Sequence, residues 1–385
     1  MDYDIIIIGA GVVGLTLAAL LQDSGSRVAV IDHGDLPTMP EDKSLHQRAV
    51  SPSNYNLLQS LGVDAASLVA APYRHMSVWD AVSHGAIDFS APISAQNALG
   101  YIIDMQELRY QLYDHIKTQA RIELLTQATC RHRIYTGKTN TLHLRDGKII
   151  SAKLVVGADG ANSWLRQQAN IAWSGHSYHQ HALVANVRCE KAHQQTAYQC
   201  FLNDGPLAFL PLSDPYQCAI VWTGGDEKMH RLRQLDEATF NPILTDAFQH
   251  RLGKVTTISQ RATFPLRMYH AAHYVQPGLA LAGDAAHIIH PMAGLGLNLG
   301  LLDVAYLAKQ LKKAMQQSKN IGDYTVLRPY ERYRYSENKQ ALLFINELKQ
   351  AFCHGDSYKR KLCAYGFNLI NRCPPIKHYF IDLAI

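Results

Sequence analysis

Residues 4–32 read DIIIIGAGVVGLTLAALLQDSGSRVAVID, and the fold turns on this stretch. The apolar run DIIII at 4–8 has the length and composition of a short buried parallel strand. Gly9-Ala10-Gly11-Val12-Val13-Gly14 follows, then a helix-forming run, then a second strand over 27–31 that ends at Asp32. Strand, GxGxxG, helix, strand and acid in this order make a dinucleotide-binding βαβ unit. Gly9 permits the tight turn, Gly11 lets backbone approach a pyrophosphate, and Gly14 lets the helix pack close to the strand. The helix N-terminus presents free N–H donors and about half a positive charge to phosphates. Asp32 stands where a carboxylate accepts ribose hydroxyls. The unit by itself does not separate FAD from NAD.

Two later stretches repeat the strand-then-acid pattern. Residues 154–166, LVVGADGANSWLR, run from a strand into Asp159-Gly160 and a helical start at Ser163 and Arg166. Residues 279–300, LALAGDAAHIIHPMAGLGLNLG, run from a strand to Asp284, then through a loop with Pro291, Gly294 and Gly296 to a helix beginning near Asn298. Asp284 at a strand end is placed to bind a ribityl or ribose hydroxyl; an ordinary helix cap is the bland alternative. The Gly294–Asn298 loop can aim N–H groups at flavin carbonyls and stabilise negative charge there.

The ordered triple GAGVVG, GADGANS and GDAAH..HP.AG.G.NLG resembles the para-hydroxybenzoate-hydroxylase-like flavin monooxygenases, and within them the ubiquinone-biosynthesis ring hydroxylases. MSVWDAVSHGAIDFSA at 76–91, LGYIIDMQEL at 99–108, YERYR at 330–334 and LKQAF at 348–352 extend the likeness over nearly the whole chain. The resemblance implies that Gly9, Gly11, Gly14 and Asp32 hold the ADP half of FAD. It places Arg48 near the flavin or its phosphates, Asp159 in a motif handling both FAD and NADPH, and Asp284 on the ribityl region. Pro291 and the loop Gly294, Gly296, Asn298 would border the isoalloxazine ring and the substrate, with His290 beside them as a proton-shuttle candidate. Two positions depart from the family pattern: Leu295 stands where a Gln is usual, and Gln106 where an Arg is frequent. Gln106 is kept as a cofactor-side candidate.

The resemblance further implies an aromatic hydroxylation in which FAD is reduced by NADH or NADPH, reacts with O2, and delivers OH to a phenol-type ring through a flavin hydroperoxide. A prenylated ubiquinone precursor is the expected substrate. The alternatives are a hydroxylase or epoxidase of another substrate class, and a non-catalytic flavoprotein subunit of a biosynthetic complex. Other chemistry has less support in the residues. His287 and His290 form an HxxH without the further ligands a metal site needs. Ser163 has no GxSxG elbow around it. The tryptophans at 79, 164, 173 and 222 lack the WxWxIP spacing of flavin halogenases.

Composition sets wider bounds. The 385 residues are 47% hydrophobic, enough for a large core, and the net charge of +5 comes without a dense basic block that would suggest nucleic acid. Seven scattered cysteines without CxxC argue against a disulfide framework and for a reducing cytosol. Asp2 and Asp4 precede the apolar run at 5–21 where a signal peptide needs positive charge, and glycines interrupt it.

The expected architecture is α/β: a Rossmann-like FAD-binding domain assembled from 1–71, 98–175 and 263–340, an interleaved antiparallel substrate domain from 72–97 and 176–262, and a C-terminal helical segment at 341–385. In that last segment Lys359, Arg360, Lys361, Arg372 and Lys377 alternate with Phe367, Leu369, Ile370, Tyr379 and Phe380. Such a mixture suits either a helix packed on the protein or a partner, or a peripheral contact at the inner face of a membrane.

Overall fold

Ile5, Ile6, Ile7 and Ile8 are all buried in one strand, Tyr3–Ile8. A strand apolar on both faces must be covered on both and paired on both edges. It sits that way in the computed structural model, which describes residues 1–40, 45–64, 68–83, 85–91, 98–290, 294–353 and 366. Val28–Ile31 pairs in parallel on one edge, with Val28 opposite Ile5. Ile149–Gly157 pairs in parallel on the other, with Leu154 opposite Ile5. Ile122–Leu125 and Leu279–Leu281 extend the parallel set outward on the two sides. The order reverses at Tyr3–Ile8, and the crevice beyond the carboxyl ends of such strands is where open parallel sheets bind ligands.

The helix Val12–Leu21 returns across the sheet, burying Leu15, Leu17, Ala18, Ala19 and Leu21. Beside it runs Leu295–Gln316, which buries Val304, Leu307, Ala308 and Leu311 at helical spacing. It starts a turn earlier than the sequence suggests, because Gly294 adopts a left-handed φ of 64° and ends the loop there. The long helix Tyr324–Cys353 packs against it in turn.

A second sheet of nine strands is built around Trp173–Cys189, which pairs antiparallel with Gln217–Gly225 and with Ala262–Ala271. Pro206–Pro211, Thr196–Phe201 and His75–Asp80 continue it, the last two in parallel. Alternate residues Leu183, Ala185, Leu207, Phe209, Ile220 and Trp222 face one core. Two helices cover that face, Asp226–Gln234 and Glu237–Ala247, where the sequence reading anticipates strands alone. The helical signal is present: Met229 and Leu232, then Phe240 and Leu244, are buried at three- and four-residue spacing, and Asp236 caps the second helix by accepting from the Thr239 N–H at 2.8 Å.

A three-stranded sheet, Gln47–Val50, Gly100–Asp104 and Val69–Tyr73, joins the two bodies. Ile103 belongs to the core of the parallel sheet, while Ile102 packs with Leu212 and Ala219 of the second sheet. Mixed α/β with a parallel nucleotide-type sheet and a large antiparallel one is the fold class expected from the sequence.

Candidate functional site

The turn after the first strand is fixed by two glycines. Gly9 has φ +107°, and a Cβ there would run into the Ala158 carbonyl oxygen. A Cβ on Gly14 would overlap the Gly9 carbonyl oxygen, so the helix can approach the strand only without a side chain. Gly11 is different: a Cβ there would meet nothing within 4 Å. The space beside its backbone is therefore open at the helix start, and no side chain caps that helix. Asp32 closes the turn from the neighbouring strand, with Oδ2 accepting from the Ala10 N–H at 2.6 Å and Oδ1 from the Gly34 N–H at 2.8 Å. Arg109, which the sequence reading passes over, donates from Nε to the Ala10 carbonyl at 2.7 Å. Its only sequence signal is a cation on the inward turn of the helix Met105–Ile116.

Asp159 reaches the same turn, because strand pairing lays its Cα against Gly9. Its Oδ2 accepts from the Leu165 N–H at 3.2 Å, whereas Oδ1 is buried without a hydrogen bond. Burial pushes its carboxyl above the ordinary range, against the pull of Ser163 and nearby N–H groups. Asp284 lies in the 3-10 turn Gly283–Ala285 that follows the Leu279–Leu281 strand. It is solvent-exposed, yet protein crowds it enough for burial to push its carboxyl up, with His287 and Arg48 opposing. An exposed carboxylate in such surroundings lines a concave channel. Arg48 comes to it from the Gln47–Val50 strand, its own basicity lowered by burial and restored in part by Asp284.

Gly294 and Gly296 sit at the start of the Leu295–Gln316 helix, which also lacks a side-chain cap. A Cβ on Gly294 would press on Ala49 Cβ at 3.2 Å, so this helix start abuts the strand that carries Arg48. Asn298 ties the two together. Its Oδ1 accepts from the Ser51 N–H and from Asn54 Nδ2, both at 2.9 Å, and its Nδ2 donates to the Ala49 and Gly294 carbonyls. The amide is thus fully engaged with protein, and Asn298 acts on the loop by holding it. Gln106 is exposed in the first turn of its helix, and its N–H donates to the capping Asp104 at 2.9 Å. His290 is fully buried, edge-on to Tyr178 at 5.1 Å, and among the described residues neither ring nitrogen has a hydrogen bond. Pro291 lies outside the described residues.

Behind Asp284 lies a buried polar cluster that no single motif brings together. Asp303 is fully buried and accepts four hydrogen bonds: from the Gly283 N–H at 3.1 Å, His287 Nε2 at 2.6 Å, Arg334 Nε at 2.8 Å and Asn338 Nδ2 at 3.0 Å. Burial raises its carboxyl, but His287 first and then Arg334 and Asn338 outweigh this and hold it below the ordinary range. Asn338 also donates to the Tyr274 hydroxyl, which pairs with His270 Nε2 at 2.9 Å. The cluster thereby anchors the turn that presents Asp284.

The residues fit FAD. An open glycine backbone at one uncapped helix start suits a pyrophosphate. A carboxylate in a channel suits a polyol, and a second uncapped helix start suits a ring system that gains negative charge. If Asp284 holds the ribityl chain, Asp284→Ala would remove a charge-assisted hydrogen bond of about 1.5–3 kcal/mol, and FAD affinity is expected to fall roughly ten- to hundredfold while the apoprotein keeps its melting temperature. Titration of apoprotein with FAD by fluorescence quenching measures this; unchanged affinity in the folded variant would refute the placement.

Comparison with known proteins agrees with FAD as the cofactor. Residues 2–342 match the sequence profile of the family described as FAD binding domain. The chain is 36% identical over 339 residues to 3-demethoxyubiquinol 3-hydroxylase of Escherichia coli (strain K12), covering 87% of this chain and 86% of that protein. It is 30% identical over 435 residues to the mitochondrial ubiquinone biosynthesis monooxygenase COQ6 of Danio rerio, covering 99% and 89%. In structure it superposes on p-nitrophenol 4-monooxygenase PnpA from Pseudomonas putida DLL-E4 with a TM-score of 0.79 at 18% identity, covering 100% of this chain and 98% of that one, a likeness of fold alone.

Proposed function

Because the chain belongs to the FAD-binding-domain family, we propose that it is an FAD-dependent monooxygenase that hydroxylates the aromatic ring of a ubiquinone precursor, with NADH or NADPH as electron donor. One observation carries the reading: the strand order of the parallel sheet reverses at the strand that leads into the Gly9–Gly14 turn, the Gly283 turn bearing Asp284 packs on Val13 of the helix that follows, Arg48 acts on Asp284, and the Gly294 helix start lies against Ala49 beside Arg48. The ubiquinone-biosynthesis relatives, 36% and 30% identical over most of the chain, support the substrate class.

Bound FAD supplies the redox chemistry, passing electrons from the nicotinamide to O2. The chain's own residues bind, orient and exclude water. The backbone at Gly11 would receive the pyrophosphate, and Asp32 has lone pairs left for a ribose after its two backbone bonds. Asp284 would hold the ribityl chain, with Arg48 limiting the cost of its charge in the channel. Asp159, beside the glycine turn, would serve the pyrophosphate side and the incoming nicotinamide. The free N–H groups near Gly294 and Gly296 would oppose negative charge on the reduced ring. Pro291 would border flavin and substrate on the strength of its motif alone; His290 is fully buried and burial pushes it down to about 3, so it packs behind that border as a neutral ring and is not the proton shuttle expected from the sequence. On the inward face of the second sheet, Ala208, Leu210 and Val221 form an apolar, partly accessible wall between their buried neighbours. Such a wall excludes water from the reacting ring.

Among the described residues no helix is long and apolar enough to cross a membrane. The cationic and aromatic residues from 359 to 380 lie outside them, and a peripheral membrane contact is proposed from their sequence alone.

The purified protein is expected to be yellow, and free FAD at about 100 times its dissociation constant is expected to stabilise the apoprotein by roughly 2.7 kcal/mol. Oxygen uptake with NADH or NADPH that rises on adding a prenylated phenol tests the activity. A colourless protein whose melting is indifferent to FAD, or uptake indifferent to the phenol, would refute the proposal.

A further inference from the structure

Tyr73 ends the Val69–Tyr73 strand, on the sheet that joins the two bodies. It packs with the apolar residues Ala49, Ile102, Leu210, Leu212 and Ala219. Pairing explains the grouping. Ala49 and Ala71 both lie opposite Ile102, and Tyr73 lies opposite Gly100, so all share one face of the three-stranded sheet. That face looks across at Leu210 and Ala219, which are paired on the second sheet. Ala49 also touches the Gly294 helix start. Tyr73 therefore stands where the flavin-side loop and the apolar wall meet.

Two observations mark its hydroxyl. Tyr73 lies deep in the molecule yet keeps partial solvent access, the mark of a side chain on the wall of an internal cleft. Burial alone pushes its hydroxyl up to about 12, so it is a donor at every physiological pH. Among the described residues the hydroxyl makes no hydrogen bond, and it is not sealed from solvent, so a ligand can reach it. Gly100 leaves it room: a Cβ there would overlap the hydroxyl and lie 2.7 Å from ring atoms Cε1 and Cζ. The phenol is thus held over a glycine with its donor aimed into apolar surroundings.

We propose that Tyr73 is a substrate-orienting residue whose hydroxyl donates a hydrogen bond to an oxygen carried by an uncharged aromatic ring. This rests on the reading of the protein as a ring hydroxylase. The class of ring follows from the surroundings, since burial alone shifts the Tyr73 hydroxyl and no charged group acts on it, so nothing beside it would meet a carboxylate or an amine. With the ring oxygen tethered at one edge, the ring can present only certain carbons to the flavin. Positioning of this kind converts binding into regiochemistry.

The test uses the FAD-loaded protein, a prenylated phenol and the corresponding prenylbenzene, with binding read from the perturbation of flavin absorbance. Wild type is expected to prefer the phenol. Tyr73→Phe keeps the ring over Gly100 and removes only the donor, so the preference is expected to shrink about three- to tenfold, with FAD affinity unchanged. Gly100→Ala must push the ring aside and is expected to give the same loss by an independent route. A preference retained in Tyr73→Phe overturns the proposal, as does loss of FAD from that variant, which would make the residue structural. A wild type that binds the two rings equally overturns it as well. If wild type binds neither ring, the substrate reading fails, and the role of Tyr73 with it.

Discussion

Asp303→Ala is expected to destabilise the protein by about 3–5 kcal/mol, the range seen when one partner of a buried charge pair is removed. The reason lies in what stays behind. Arg334 is only 4% exposed, and without Asp303 its guanidinium keeps just the Leu299 carbonyl at 3.4 Å and Asn338 Oδ1 at 2.7 Å. His287, 1% exposed, loses its 2.6 Å partner, and the Gly283 N–H loses its acceptor. Because Gly283 begins the turn that presents Asp284, FAD affinity is expected to fall along with stability. Asp303→Asn keeps the volume but replaces an acceptor-only group by one that also donates toward Arg334 and Asn338, so it should recover only part of the loss. Denaturant unfolding of the apoprotein and FAD titration of both variants measure the two effects. A loss under about 1 kcal/mol in Asp303→Ala would show that the cluster is dispensable.

What was legible in the sequence is the part of the site made by backbone. A glycine at φ +107° and another pressed against a carbonyl leave a fixed spacing behind them, and the isoleucine run names the strand they follow. The acids at strand ends, Asp32, Asp159 and Asp284, were legible for the same reason, since each follows an apolar strand directly. The Asp303 cluster was not, because its members come from four places in the chain: His287 and Arg334 sit inside recognisable stretches, but nothing in those stretches says that they meet at Asp303. Its traces are slight: an acid among the buried residues Leu299, Val304 and Leu307, and Arg334 with Asn338 four apart on the last helix. Asn298 shows a different limit. Its position in the loop motif was clear, but that its amide faces Ser51, Asn54 and Ala49 depends on how two remote segments dock. Tyr73 is legible only after docking too, since nothing local distinguishes it from other tyrosines in strands.

Acid is expected to weaken the fold well above the pH at which carboxylates titrate, and His290 is the main reason. Burial first, and Lys349 second, push this fully buried imidazole from its ordinary 6.5 down to about 3. His270 is pushed down to about 4 by burial, His287 and Lys339, with Asp303 opposing, and solvent reaches it more easily. The folded values lie below the unfolded ones, so the unfolded chain binds the extra proton. The stability these histidines contribute is therefore complete above about pH 6.5 and is lost as pH falls toward 4 and 3. Each titrating site adds at most about 1.4 kcal/mol per pH unit. For His270 the structure also names what breaks: a protonated Nε2 can no longer accept from the Tyr274 O–H, which loses its acceptor. Asp159 and Asp284, raised by burial, act with the opposite sign, because they take up protons above the ordinary carboxylate range and protonating them relieves a cost. The total slope thus mixes terms, and a variant isolates one of them. His290→Phe keeps an aromatic ring against Tyr178 and removes the titration. Between pH 6.5 and 4 its unfolding free energy in urea is expected to fall less steeply than wild type, by up to about 1.4 kcal/mol per pH unit. Parallel profiles for the two proteins would mean that His290 charges without consequence, and that the channel beside it is wetter than its burial implies.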